Sequence, residues 1–303
     1  MQKIVVLSGG NSPEREVSLI TGKNIAHQLS ENGYQVEILD PANYPTTDLL
    51  IAEIGKNNPD IIFNGLHGGD GENGKLQAIF EMNGLRFTGS GSEACMLTMN
   101  KYISKLIAAD CNVSTPAHVY LHKGDKPSED AMKALGWPVV VKPNNAGSSV
   151  GISLVESLDK LNEAIREAFN YDDNILIEQF IPGRELTVTV IADIARPVVE
   201  IKPKHGWYDY KNKYTSGNTQ YIAPAELHAE EVALVQDYAL RIFKRTGCRA
   251  YGRVDFRYDG DKFYFLEVNT LPGMTELSLT PMSAKADGMS FIQLLEAIME
   301  ASN

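Results

Sequence analysis

The chain predicts an α/β and α+β protein: an N-terminal doubly wound unit with a parallel sheet, followed by two α+β units. Three observations carry this. Strand-like and helix-like segments alternate from Lys3 to about Leu85, the pattern of a parallel sheet with helical crossovers. Between Leu186 and Pro203 two apolar strand patterns follow one another too closely for such crossovers, so that sheet must be antiparallel. A length of 303 residues is enough for two or three separate cores.

"KIVVLSGG" (Lys3–Gly10) reads as a buried strand that stops at glycines. The segment from Ser12 to Gly33 reads as a helix, with Ser12 as N-cap, Pro13 in the first turn and Gly33 near the stop. "YQVEILDP" and "DIIFNGLHGG" supply further strands, and "GKLQAIFEMNG" a helix. This unit ends near Leu85–Ser92. A helix around Met96–Ala109 then leads to "WPVVVKP", a glycine-serine loop and "ISLV". A helix near Leu158–Phe169 precedes "NILIEQFI", and "LTVTVIAD" and "PVVEIKP" come after "PGRE". A polar loop (His205–Thr219), a helix (Ala229–Thr246), a β-hairpin and a final helix complete the chain. No internal repeat or low-complexity tract interrupts it.

Composition narrows the function. A net charge of -11 argues against a nucleic-acid binder, which would present a basic face. No segment approaches the ~18 apolar residues of a membrane span, and the apolar N-terminal run is too short for a signal peptide. Cys95, Cys111 and Cys248 are odd in number and include no Cys-x-x-Cys, which disfavours a disulfide framework or a cysteine zinc site. A cytoplasmic location is expected.

Two glycine loops compete as phosphate sites. "GDGENGKL" (Gly69–Leu76) nearly matches the P-loop pattern and lies between a strand and a helix. Leu76 offers no hydroxyl to magnesium, however, and Asp70 and Glu72 would repel phosphates, so a tight turn is the better reading. In "VVVKPNNAGSSVG" (Val139–Gly151), Lys142 ends an apolar strand, Gly147 and Gly151 permit close backbone approach, and Ser148 and Ser149 add hydroxyls. Such a hairpin could fold over a phosphate chain. An ordinary flexible hairpin is the bland alternative.

"GRVDFRYDGDKFYFLEVNT" (Gly252–Thr270) poses the sharper question, because carboxylates and an amide interrupt apolar strands. Alternation puts Glu267 and Asn269 on one face with Phe263 and Phe265, and Arg253 and Asp255 on one face of the other strand. A two-residue turn at Asp259-Gly260 would send Glu267 away from Asp255. A three-residue loop, Asp259-Gly260-Asp261, pairs Arg253 with Glu267 and Asp255 with Phe265, so that the polar groups converge. Carboxylates with an amide carbonyl suit magnesium, which shares its shell with substrate phosphates. A solvated face is the alternative, and the two phenylalanines, each worth ~1.5–3 kcal/mol on burial, weigh against it.

In this order, the strand lysine, glycine-serine flap, "IEQFIPGRE" and "D…LEVN" resemble the ATP-grasp ligases. "GGNSPEREVSL", "LHGGDGENG", "TGSG", "NKYISK", "KPNNAGSSVG", "YDYKNKY", "GRVDF", "LEVNTLPGMT" and "SLTP" narrow the resemblance, over essentially the whole chain, to the D-alanine–D-alanine ligase family. The resemblance implies a Rossmann-like domain at 1–89 and two ATP-grasp α+β domains at 90–183 and 184–303. It implies ATP and two magnesium ions, with manganese as a substitute, D-alanine as substrate, no nucleic-acid or membrane partner, and a homodimer.

Residue by residue, Lys101 and Lys142 match the lysines on ATP phosphates, with Ser148 and Ser149 covering them. Glu178, Phe180 and Ile181 fall where the family binds adenine, and Glu185 where it holds the ribose. Asp255, Glu267 and Asn269 match the metal ligands. Glu14, at the start of a helix, matches the group that holds the first D-alanine's ammonium, in a set with Ser148 and Tyr214. His67 lies nearby, and Ser278 and Leu279 match the pocket for the second D-alanine's carboxylate. Lys213 and Tyr214 belong to a lid, while Arg253 and the N–H of Gly273 match the groups that stabilise the tetrahedral oxyanion. The sequence departs from the pattern in the aromatic of "IEQFI" and in the length of the Asp259–Asp261 loop. Tyr214 favours an amine nucleophile over the hydroxyl of D-lactate, so dipeptide formation ranks above a depsipeptide ligase. A non-catalytic nucleotide-binding module is the reading from another class.

Overall fold

The computed structural model describes residues 2–147, 150–204, 218–275 and 278–302. Strands β1 (Lys3–Leu7), β2 (Gln35–Leu39) and β3 (Ile61–Asn64) form a parallel sheet in the order β2-β1-β3. Helices α1 (Arg15–Glu31), α2 (Thr47–Asn57) and α3 (Lys75–Met82) connect and follow them. Nearly every side chain of β1 and β3 is buried, as expected of a sheet packed on both faces. Helix α2 is absent from the sequence reading for a physical reason: only Leu50 and Ile54 are buried, and Leu49 is exposed, so its apolar stripe is too thin to register.

Two expectations, one in this unit and one just after it, need correction. Helix α1 begins at Arg15 after Glu14, not after Ser12. Ser12 instead closes the preceding turn: its Oγ accepts from the Glu14 N–H (3.1 Å) and donates to the His67 carbonyl (2.5 Å). The reading of one helix across Met96–Ala109 also fails. Asn100 leaves helical geometry at ψ 98°, dividing α4 (Ser92–Met99) from α5 (Lys101–Asp110). Its Oδ1 accepts from the Ile103 N–H at 3.0 Å, an N-cap that restarts the helix with Lys101 as its first residue.

A second sheet is antiparallel throughout, in the order β4-β7-β5-β6, from His118–His122, Asn174–Gln179, Val139–Pro143 and Ser153–Val155. Helices α6 (Glu129–Leu135) and α7 (Leu158–Ala168) pack on the face bearing Val139, Val141, Ile175 and Ile177. Neither β4 nor α6 is legible in the sequence, since both are short. The opposite face carries Lys142 and Glu178. The third sheet, also antiparallel, runs β11-β10-β8-β12-β13 with the short β9 on β8. Its strands are β8 (Arg184–Ile191), β9 (Ile194–Ala195), β10 (Val199–Pro203), β11 (Thr219–Ile222), β12 (Tyr251–Tyr258) and β13 (Phe263–Asn269). Helix α8 (Ala229–Arg245) buries Val235, Ala239, Ile242 and Phe243 against it.

The units interlock. Ala94 of α4 and Ala108 of α5 belong to the core of the third sheet. Helix α9 (Leu279–Ala286) leads to α10 (Phe291–Ala301), whose Leu294, Leu295, Ile298 and Met299 complete the core of the first sheet. A cleft of about 460 Å³ opens where these parts meet, with Glu14, Glu72, Lys101, Gly147, Glu267 and Asn269 on its wall.

Candidate active site

The β12–β13 ribbon forms one wall. Its register differs from expectation: Tyr258 pairs with Phe263, leaving a four-residue loop at 259–262, and a β-bulge at Leu266 shifts the pairing by one residue. Asp255 consequently stands opposite Glu267 and Arg253 opposite Asn269, so the polar groups share one face. The convergence expected from the sequence holds, but the bulge produces it and not a three-residue loop. It also turns Phe263 and Phe265 to the other face, where Phe263 stacks on Tyr258 and Phe265 meets Phe256 edge-on in the core. The aromatic argument from alternation therefore fails, because an extra residue inverts the pleat.

Arg253 grips Asp255 through one guanidinium edge, Nε to Oδ1 at 2.8 Å and Nη2 to Oδ2 at 2.9 Å. Thr187, directly across on β8, donates to Asp255 Oδ1 at 2.5 Å. Lys101 Nζ lies 3.1 Å from Glu267 Oε2 and donates to the Ala146 carbonyl at 2.6 Å. Asn269 Oδ1 is oriented by the Leu271 N–H at 2.9 Å. Among the described residues no group of three or more His, Cys, Asp or Glu side chains could hold a metal ion. Two opposed carboxylates and an amide oxygen do fit an ion that takes the rest of its shell from phosphates and water.

The sheet opposite supplies cations. Lys142 Nζ lies 2.8 Å from Glu178 Oε2, and Lys105 Nζ lies 3.0 Å from Oε1 of the same carboxylate. Burial would raise the pKa of Glu178, but Lys105 and Lys142 together hold it below the usual carboxylate range. Where β7 passes into β8, Arg257 donates to the carbonyls of Ile181 (3.1 Å) and Gly183 (2.9 Å) and lies 3.3 Å from Glu185 Oε2. Its guanidinium stands 5.7 Å from the centre of the Phe180 ring. Gly183, at φ +109°, has no room for a side chain, since a Cβ would fall 2.2 Å from the Tyr258 carbonyl oxygen. Burial pushes Glu185 up to about 7, with Arg257 opposing.

Comparison with known proteins decides what this geometry belongs to. The family model described as the D-ala D-ala ligase C-terminus matches residues 107–300. A D-alanine–D-alanine ligase of Syntrophotalea carbinolica is 41% identical over 302 residues, covering 100% of this chain and 96% of that protein. The chain belongs to the D-alanine–D-alanine ligase family. The crystal structure of the Bacillus anthracis D-alanine–D-alanine ligase complexed with ATP superposes with a TM-score of 0.87 at 32% identity, covering 100% of this chain and 97% of that one. The VanG D-Ala:D-Ser ligase of Enterococcus faecalis does so with a TM-score of 0.83 at 29% identity, over 100% and 99%.

Of the other residues that the family pattern singles out, Glu14 lines the same cleft. Glu14 sits at the N-terminus of α1, with its carboxylate between the backbones of Gly68 and Gly147; a Cβ on these glycines would lie 2.5 and 3.7 Å from Oε2. His67 is buried between α1 and the segment after β13, with Nε2 2.8 Å from Thr21 Oγ1 and Nδ1 3.2 Å from the Leu271 carbonyl. Since a carbonyl only accepts, Nδ1 carries a proton. Gly273 borders this histidine and Ser278, whose Oγ would be 2.7 Å from a Cβ there. Ser278 stands at the N-cap position of α9, and its Oγ accepts from the Thr275 N–H at 3.0 Å in place of a helix N–H. The Leu279 side chain is buried beneath Val199 and Ile201, so only its backbone N–H, at a helix N-terminus, can serve an anion. Ser148, Ser149, Lys213 and Tyr214 lie outside the described residues.

The near-P-loop is not a phosphate cradle. Lys75 pairs with Asp70 at 3.1 Å and is largely exposed. Yet Glu72 of that loop lines the cleft and accepts from the Gly68 N–H at 3.0 Å, a contribution the sequence reading missed. It also missed Lys105, Thr187 and Arg257. Helical spacing from Lys101 could have pointed to Lys105, and strand alternation from Glu185 to Thr187.

Proposed function

We propose that this protein is an ATP-dependent D-alanine–D-alanine ligase that supplies the dipeptide for peptidoglycan synthesis. One observation carries the reading: Asp255 stands opposite Glu267, and Glu267, paired with Lys101, lines the same cleft as Lys101 and Glu14. In the first step the carboxylate oxygen of one D-alanine attacks the γ-phosphorus, and the bond to ADP breaks. Lys101 and Lys142 neutralise the transferring phosphoryl group, while Glu14 holds the substrate ammonium. In the second, the amine of another D-alanine attacks the acyl-phosphate carbon, loses a proton and expels phosphate. Arg253 and the Gly273 N–H stabilise the oxyanion, and the N-terminus of α9, with Ser278 and the Leu279 N–H, receives the second carboxylate. Glu178, Phe180, Ile181 and Glu185 bind the nucleoside, Ser148 and Ser149 cover the phosphates, and His67, Lys213 and Tyr214 complete the substrate pocket.

Asp255, Glu267 and Asn269 would hold magnesium, or manganese in its place. When bound, the ions offset the charge of the phosphates. The supporting feature is the hard-oxygen donor set on one face of the ribbon. The domain division at 1–89, 90–183 and 184–303, a homodimer and a cytoplasmic location complete the proposal. Among the described residues no helix is long and apolar enough to cross a membrane. The test is ADP release with D-alanine, L-alanine, D-serine and D-lactate side by side, analysed by mass spectrometry. D-alanine should drive ADP release and yield the dipeptide. ADP release only with D-lactate or D-serine present would reassign the second substrate, and none with any amino acid would overturn the reading.

A further inference from the structure

Helix α5 carries two lysines one turn apart on the same face. Lys101 reaches the cleft, whereas Lys105 does not: its side chain is fully buried, donating to Thr115 Oγ1 at 3.0 Å and lying 3.0 Å from Glu178 Oε1. Burying an ammonium is costly unless it is paired, and the family roles above give Lys105 nothing to do. A tether between α5 and the second sheet would account for its burial. The arrangement around Glu178 points further. That carboxylate is shared, one oxygen toward Lys105 and the other 2.8 Å from Lys142, so the triad as a whole keeps one positive charge. Without Lys105, the full negative charge of Glu178 would fall on Lys142, and the pair would be neutral toward a phosphate.

We propose that Lys105 is a positioning residue for the nucleotide: it neutralises Glu178 from behind, so that Lys142 presents its charge to the phosphates of ATP. This rests on the reading of the cleft as an ATP site. Thr115 adds a mechanical component. It follows Ser114, whose carbonyl accepts from the Phe265 N–H of β13 at 2.8 Å, so Lys105 ties the lysine–carboxylate cluster to the strand that bears Glu267. Burial draws the Lys105 ammonium down to about 8, while Glu178 pulls the other way and Lys142 adds to the lowering. Glu178, with a smaller contribution from Glu267, therefore favours the charged form of Lys105.

The test is a double-variant cycle with Lys105→Met, Glu178→Gln and the pair together, reading calorimetric affinity for a non-hydrolysable ATP analogue without D-alanine, then KM and kcat. Lys105→Met should weaken analogue binding and raise KM for ATP by about tenfold, the scale of one buried charge on its neighbour. KM for D-alanine and kcat should change less than about threefold. With Glu178 already neutral, adding Lys105→Met should change analogue affinity less than about twofold. An equal loss in both backgrounds, or a single variant that binds the analogue normally, overturns the proposal. A loss of melting temperature without any nucleotide-specific effect leaves Lys105 as a packing tether and also overturns it. Should Lys105→Met fail to fold, the comparison of Glu178→Gln with the double variant still decides. Failure of the native protein to bind the analogue would instead defeat the ATP-site reading.

Discussion

Two carboxylates of the cleft, each paired with lysine, have opposite surroundings. Glu178 is sealed between Lys105 and Lys142 with a side chain 3% exposed, whereas Glu267, paired with Lys101, is 37% exposed. The chemistry of each pair is the same, and the solvent is not. A sealed pair cannot exchange its partner without a large desolvation cost, so it fixes positions. In the Glu267 pair only the carboxylate is open, since Lys101 is itself 6% exposed, and an open carboxylate can trade an ammonium for another cation. Arg253–Asp255 stands between these extremes, nearly buried on the ribbon face that bears Glu267, with exposures of 8% and 11%.

The comparison breaks most visibly at the sealed end. Glu178→Ala removes the anion bonded to two buried lysines and should destabilise the fold by about 3–5 kcal/mol, read as a lower denaturant midpoint with an unchanged slope. A loss below about 1 kcal/mol would mean the triad is not sealed in solution. Next in size is Arg253→Ala. It should lower kcat about 100- to 1000-fold while ATP-analogue affinity stays within about threefold. Near-normal turnover would remove Arg253 from the oxyanion role.

At the open end the effect should be smaller and opposite in sign. Lys101→Met removes a cation that competes for Glu267, so Mn²⁺ affinity without nucleotide, measured by electron paramagnetic resonance, should rise several-fold, to the extent that exposed pairs contribute. Weaker Mn²⁺ binding would argue that Glu267 is not a ligand. The smallest effect is on pH. Glu185 lies near 7 because burial disfavours its charge, and its ionised form accepts a ribose hydroxyl better than its protonated form does. KM for ATP should therefore fall a few-fold as pH rises from about 6 to 8, and Glu185→Gln should flatten that trend. A native profile without this slope separates Glu185 from the nucleotide.

Much of the site is legible in linear order. Lys142, Arg253, Asp255 and Glu267 stand out because charged residues in apolar strand patterns need a reason to be there, whereas Lys101 is marked only by the family resemblance. The pattern of parallel strands followed by antiparallel ones is equally plain, since crossover length is written in the spacing. The short elements escaped: α2 buries too few residues to show a period, and the split at Asn100 depends on one capping side chain. The ribbon is the more instructive case. Alternation by itself groups Phe265 with Glu267, and a single bulged residue reverses that grouping.

The sequence alone determined which chemical groups this protein can offer, because side-chain type and order along the chain set out the carboxylates, the amide, the lysines and the arginine before any folding. Tertiary structure alone decided which of those groups meet, and in what dielectric. The bulge at Leu266 brings Asp255 to Glu267, and the packing of α5 over the second sheet buries Lys105 against Glu178. Both outcomes depend on contacts between segments far apart in sequence, where local propensity carries no information about register or burial.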